Sequence, residues 1–270
     1  MNEAGARMRD RRNAVLRIAL PLASAAVAGL AWHLVVLYWQ IPPYVLPGPR
    51  LVLATLISDW PVLSVALLTT LITAIEGLVL AAVGGILLAI LFHQSRLIEY
   101  SLYPYAVILQ VTPIVAIAPL LLIWLPQAAA VLACAWIVAF FPMLANTTLG
   151  LRSADHNLLD LFALYGASRL QRLLHLTLPA ALPHMLTGLR IAGGLSLIGA
   201  VVAEIAAGSA GAGSGLAFRI VESSYRLNIP RMFAALALLA MAGVGIYFAL
   251  SLASHLVLRR WHESAILRER

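Results

Sequence analysis

An all-α, polytopic membrane protein with about six transmembrane helices is the fold predicted, on three observations. Of the 270 residues, 62% are hydrophobic and 11% charged, with a mean hydropathy of +0.94; such a composition belongs in a bilayer. Apolar runs recur at the roughly 20-residue length that a helix needs to cross the hydrocarbon core. The arginines gather at the ends of those runs rather than along one polar face. The net charge of +7 therefore reads as membrane topology, with no nucleic-acid partner.

Arg7, Arg9, Arg11, Arg12 and Arg17 precede an apolar run from Ile18 to about Trp39. Ala23-Ser24-Ala25 offers a small-residue cleavage site, but the run continues too far for a signal-peptide core and is read as an uncleaved anchor. Residues 40–62 carry Pro42, Pro43, Pro47, Pro49 and Pro61. Proline lacks the backbone donor that a lipid-embedded helix requires, so a loop is predicted there, with a short interfacial helix from Arg50 to Trp60.

The second span runs from about Leu63 to Phe92 and holds Gly77, Gly84 and Gly85, whose small size permits close helix approach. His93 to Glu99 forms a polar turn. A third apolar segment reaches about Leu125 with Pro104, Pro113 and Pro119 inside it, and kinked backbone of this kind is tolerated where protein or water covers it. Pro126 turns the chain into a fourth span, Ala128 to about Leu149. A fifth is placed from about His184 to Ala206, a glycine-rich loop at Gly208 to Phe218, and a sixth span at about Met232 to Leu258, ending in Arg259-Arg260-Trp261. The whole of 1–270 is read as one transmembrane domain.

Positive charge sorts to the cytoplasmic side. With six spans, Arg7, Arg9, Arg11, Arg12, Arg17, Arg96, Arg152, Arg169, Arg172, Arg259, Arg260, Arg268 and Arg270 share one side, against Arg50, Arg219, Arg226 and Arg231 on the other. Both termini and the interval 151–183 are thereby placed in the cytoplasm.

That interval, LRSADHNLLDLFALYGASRLQRLLHLTLPAALP, is too polar to span. Its pattern predicts two short helices with a bend at Gly166, closed by Pro179 and Pro183, which turn the chain back into the membrane. An amphipathic helix lying on the bilayer surface fits the periodicity equally well. All 18 basic residues are arginine, so a Walker A loop, which needs a lysine, is absent. There is no HExxH, metal-ligand pair or G-x-S-x-G on which to anchor catalysis, and the lone Cys134 reads as a small hydrophobe. The chain is read as a non-enzyme.

At these residues the chain resembles the membrane permeases of bacterial binding-protein-dependent ABC importers, whose cytoplasmic signature is E-A-A, three residues, G, nine residues, I-x-L-P. Asp160 stands at the glutamate, Leu161 and Phe162 at the alanines, followed by Ala163, then Gly166 and Ala167, with Leu176, Leu178 and Pro179 closing the signature. The acidic residue is shortened and both alanines enlarged. LPGP at 46–49, GLRIAGGLSLIGAVVAEI at 188–205 and the glycine-rich loop resemble the nitrate, sulfonate and taurine branch. Departures lie at Trp124 to Gln127, where a glycine-containing turn is usual, and at Glu76, where the branch has an apolar residue.

The resemblance implies a type I importer permease in the bacterial inner membrane, paired with a second copy of itself. It also implies two cytoplasmic ATPase subunits, which would hold ATP and Mg, and a periplasmic or lipid-anchored substrate-binding protein. This chain would carry no cofactor of its own and contact only those partners and membrane lipid. The helix before Gly166 would be the coupling helix, its face of Leu158, Leu159, Phe162 and Leu164 or Tyr165 filling a groove on the ATPase while Asp160 and Arg169 pair at the rim. The solute would be a sulfonate, taurine or nitrate-like anion, or a heterocyclic vitamin precursor.

Ionisable residues inside spans are costly and point to function. Arg190 and Glu204 lie about 21 Å apart at 1.5 Å per residue, too far to pair, and read as anchors near opposite interfaces. Glu76 is expected to be neutral and hydrogen-bonded across helices. Glu76, Pro113 and Glu204 are candidates for the translocation path. An ATP-independent channel or secondary transporter is the rival reading, although no clear internal repeat is visible; an intramembrane enzyme is the other.

Overall fold

The structure, a computed structural model, describes residues 3–208 and 214–259, with only the backbone of residues 3–15, 17 and 18. The side chains of the first arginine cluster, the middle of the glycine-rich loop and the Arg260-Trp261 end therefore fall outside the described residues. Among those described, every regular element is helical. Five helices are long and apolar enough to cross a membrane, six when one bent pair is taken as a single span. The sequence expectation of about six spans is met in that sense.

Contacts gather into two units. The smaller comprises residues up to Pro61 together with Glu222–Ala234. Its long helix α1 (Glu3–Tyr38) has an apolar stretch, Ala19–Tyr38, of which no part is buried. Leu20, Leu22, Val27, Leu30 and Leu34 are all exposed, a surface suited to acyl chains, with Tyr38 and Trp39 ending it in an aromatic girdle. Helix α2 (Pro49–Ser58) matches the short helix expected after the prolines and begins with Pro49, where a missing donor is harmless. Asp59 Oδ2 accepts from Arg231 Nε at 2.5 Å, an ion pair between residues far apart in the sequence that no local pattern reveals.

The larger unit comprises Val62–Val221 and the chain from Ala235 onward. It holds most of α3 (Trp60–Gln94), then α4 (Arg96–Val111), α5 (Ile114–Trp124), α6 (Gln127–Leu151), α7 (His156–Leu164), α8 (Arg169–Arg172) and α9 (Leu178–Ala207), followed by parts of α10 (Leu216–Tyr225) and α11 (Ile229–Leu258). Helices α6 and α9 form its centre, around buried Cys134, Ala135, Ala139, Ala192 and Ala200. Lipid supplies no hydrophobic drive for helix association, so small side chains that let backbones approach hold such a seam together.

Three sequence expectations need correction. The third apolar segment is not a kinked rod: α4 and α5 meet at 101° across Thr112-Pro113. Pro113 both removes a donor and forces Thr112 out of helical backbone, to ψ 125. The helix of the fifth span begins well before His184, because Arg169–Ala207 is one continuous helical rod, longer than the roughly 20 residues that crossing needs. Pro179 and Pro183 do not turn the chain; a π turn over Leu173–Thr177 stands directly before Pro179. The widened turn relieves the clash between a proline ring and the preceding turn. The third correction is α10, a helix that begins inside the stretch expected as glycine-rich loop, Gly208 to Phe218, and runs on to Tyr225, where no element is expected.

Candidate functional site

The interval after α6 is built from well-terminated pieces. Asp155 caps α7 by accepting from Asn157 N at 2.9 Å, satisfying one of the amides that a helix start leaves open. At the other end, Gly166 N bonds Ala163 O at 3.0 Å and Ala167 N bonds Phe162 O at 2.9 Å, the paired pattern of a Schellman C-terminus. Gly166 adopts φ +68, and a Cβ there would meet open space. The requirement for glycine is thus conformational and not steric. Ser168 then starts α8 with a capping box: Gln171 N donates to Ser168 Oγ at 3.2 Å, and Ser168 N to Gln171 Oε1 at 2.7 Å.

The signature residues separate into two groups. Asp160, Leu161, Ala163 and Pro179 are exposed, whereas Phe162, Ala167 and Leu178 are half-buried and Leu176 is buried. On α7 the outward apolar face is Leu158, Leu161, Leu164 and Tyr165, with Leu164 and Tyr165 each more than four-fifths exposed. Leu159 and Phe162, expected on that face, turn inward. They stand about one helical turn apart and form the covered edge of that face. Asp160 and Arg169 form no ion pair within the chain.

Gly166→Ala should destabilise the loop by about 1 kcal/mol, because an L side chain resists left-handed backbone. Hydrogen exchange would register this as faster exchange at the amides of Gly166 and Ala167, with the α6 and α9 amides unchanged.

Within the apolar helices, Glu204 is buried in a polar knot. Its Oε1 accepts from Thr70 Oγ1 at 2.8 Å and its Oε2 from Ala217 N at 3.0 Å, while Leu216 N donates to Thr70 Oγ1 at 2.9 Å. The first two amides of α10 are therefore capped by α9 and α3 side chains, with the carboxyl at the positive end of the helix dipole. Gly215 makes room for it; a Cβ there would overlap the Glu204 carboxyl. Near Glu204 on the same interface, Ser196 Oγ donates to Ala74 O at 2.6 Å. Thr70 and Ser196 were missed in the sequence, where each is a small polar residue in an apolar run.

Pro113 borders a cavity of about 490 Å³ at the α4–α5 break, lined also by Gln110, Thr112, Val138, Pro142 and Leu195. Glu76 lies exposed on α3 and makes no hydrogen bond or ion pair among the described residues, contrary to the expected cross-helix bond. The structure does not bring Glu76, Pro113 and Glu204 to a common site.

Residues 81–263 match the family described as binding-protein-dependent transport system inner membrane component. A probable ABC transporter permease protein of Haemophilus influenzae is 34% identical over 241 residues, covering 89% of this chain and 97% of its own. The formylaminopyrimidine transport permease protein ThiX of Halalkalibacterium halodurans is 32% identical over 223 residues, 80% of this chain and 88% of that one. The putative aliphatic sulfonates transport permease protein SsuC of Bacillus subtilis is 31% identical over 169 residues, 62% and 59% of the two chains. With its apolar helices, the family match over residues 81–263 and the Haemophilus relative matched along 97% of its length, this chain belongs to the family of inner-membrane permease components of binding-protein-dependent ABC transporters.

Proposed function

We propose that the chain imports a small, N–H-bearing heterocycle of the aminopyrimidine class, driven by a separate ATPase that docks on α7. The observation that carries the ATPase reading is α7 itself, capped at both ends by Asp155 and the Gly166 turn, with Leu158, Leu161, Leu164 and Tyr165 left exposed. A short helix fixed in this way moves as one body and offers an apolar face to a groove. The arginine distribution supports a cytoplasmic position for this loop and for both termini. ATP and Mg would be held by the ATPase, a binding protein would deliver solute on the opposite face, and a second copy of the chain would complete the path.

Two observations favour a heterocycle over an anion. The formylaminopyrimidine permease matches over 80% of this chain, the sulfonate permease over 62%. The carboxyl of Glu76, mid-way along α3, also suits an N–H donor and opposes an anion. An acidic side chain facing acyl chains at mid-span costs about 2.5–3.5 kcal/mol on insertion scales, which favours a water-filled path or a partner over lipid for this face.

The test is uptake of labelled aminopyrimidine into vesicles holding this chain, its ATPase and its binding protein. ATP-dependent uptake is expected, with Leu158→Asp/Leu161→Asp lowering ATPase association at least about tenfold, as loss of a buried apolar contact pair would. Uptake that continues without ATP overturns the importer reading. Competition by sulfonate or nitrate, and none by aminopyrimidine, overturns the substrate class alone.

A further inference from the structure

Beneath α7 lie two adjoining cavities of about 510 and 620 Å³ that share His93, Arg96, Leu159 and Thr177 as walls. Arg169 and Arg172 project into the first, and Arg152 and His156 line the second. The only acid lining them among the described residues, Glu99, is already paired with Arg152. The guanidinium groups of Arg96, Arg169 and Arg172 make no ion pair or hydrogen bond among the described residues, and Arg172 Nε is shielded from solvent with no partner. Three guanidinium groups facing one recess repel each other, and a shielded Nε–H without an acceptor is destabilising.

The recess is also placed and shaped for a particular occupant. It sits where the apolar helix α3 ends at Gln94 and α4 begins at Arg96, the depth of lipid head groups for a helix that spans. Its floor includes the apolar side chains of Phe92, Leu151 and Leu173. Guanidinium forks match the paired oxygens of phosphate better than any other common anion.

We infer that this recess is an anion site for a phosphate group, carried either by an anionic lipid head group or by a soluble phosphate. The phosphate oxygens would sit among Arg96, Arg169 and Arg172, with the Nε–H of Arg172 donating to one of them. The inference concerns the root of the loop and stands apart from the identity of the transported solute. It is also separate from the docking face, which lies on the outward stripe of α7.

The experiment is titration of the purified, detergent-solubilised full chain with dioctanoyl phosphatidylglycerol and, separately, with its zwitterionic phosphatidylcholine counterpart. Saturable binding of the glycerol lipid is expected, with the choline lipid at least about tenfold weaker and with Arg96→Gln/Arg172→Gln at least about tenfold weaker, because charge-assisted bonds are lost. Arg226→Gln, remote in sequence and exposed, should bind as the parent does. Displacement of the lipid by millimolar inorganic phosphate assigns the site to a soluble anion, and failure to displace assigns it to lipid. Equal binding of the two lipids, or full binding by the folded double variant, overturns the site. Where the double variant folds poorly, the parent decides: binding that does not weaken from low to high salt overturns the site as well.

Discussion

Glu204→Ala is expected to lower the stability of the folded chain by about 2–6 kcal/mol, from two stranded donors at roughly 1–3 kcal/mol each. The Thr70 hydroxyl and the Ala217 amide both donate to this carboxyl, and Glu204 is only 6% exposed, so water does not readily replace it. The loss should fall first on the start of α10. In hydrogen exchange the amides of Ala217 and its neighbours would open, while amides at the α6–α9 centre would lose protection only with global unfolding. Glu204→Gln should lose roughly half as much, since its amide oxygen keeps one acceptor while its NH₂ faces a donor. A double-mutant cycle with Thr70→Val isolates the pair, and coupling of about 0.5–3 kcal/mol is expected for residues sharing one network. A thermal midpoint unchanged in Glu204→Ala, with Ala217 still protected, would remove the knot from the list of features that hold the fold.

This knot also marks the limit of what could be read along the chain. Apolar run length locates spans because the bilayer sets that length directly. Pro113 announces a break because its missing donor and its effect on Thr112 are local. Gly166 could be identified as a bend on the same footing, and its φ of +68 gives the physical reason. Thr70 and Glu204, by contrast, are separated by 134 residues, and neither carries a local sign of the other. The first two amides of α10 depend on that distant pair for their acceptors, which explains why the start of α10 was invisible along the chain.

Two local signals were misread for reasons that generalise. Pro179 and Pro183 looked like the end of a cytoplasmic turn, since proline usually ends a helix. Here Pro179 follows the π turn at Leu173–Thr177, whose widened turn accommodates it within a continuous rod, and Pro183 lies inside α9. On α7, the sequence reading puts Leu158, Leu159, Phe162 and Leu164 or Tyr165 on one face. At 3.6 residues per turn Phe162 stands about 40° from Leu158 and Leu159 about 100° from it, so the periodicity grades the exposed side of α7 into the covered one. Periodicity therefore does not say which part of that arc the rest of the chain covers. Which residues stay exposed depends on the helices packed behind α7, and these are distant in the sequence.

Gly199→Leu is the substitution expected to damage the molecule most. A Cβ on Gly199 would lie 2.6 Å from the Cys134 carbonyl oxygen and 2.9 Å from the Ala135 Cα, and both are backbone atoms of α6. A flexible side chain could swing away from such a collision; a helix backbone cannot. Even Gly199→Ala must therefore push α9 off α6, at about 1–3 kcal/mol for overpacking, and leucine should exceed the upper end of that range. The separation would not stay local. Ala135 also stands against Gly77 of α3, where a Cβ would sit 2.6 Å from the Ala135 Cβ, so α3, α6 and α9 meet at one point. In lipid this contact has no hydrophobic term to restore it once the backbones part, because acyl chains solvate the freed surfaces as well as the partner helix did. The expected result is loss of monodisperse protein after detergent extraction for Gly199→Leu, and a lowered midpoint for Gly199→Ala. Gly194→Ala, on the same helix with no heavy atom within 4 Å of a Cβ, should behave as the parent. If Gly194→Ala were as damaging as Gly199→Ala, helix flexibility rather than close approach would be the role of glycine in α9.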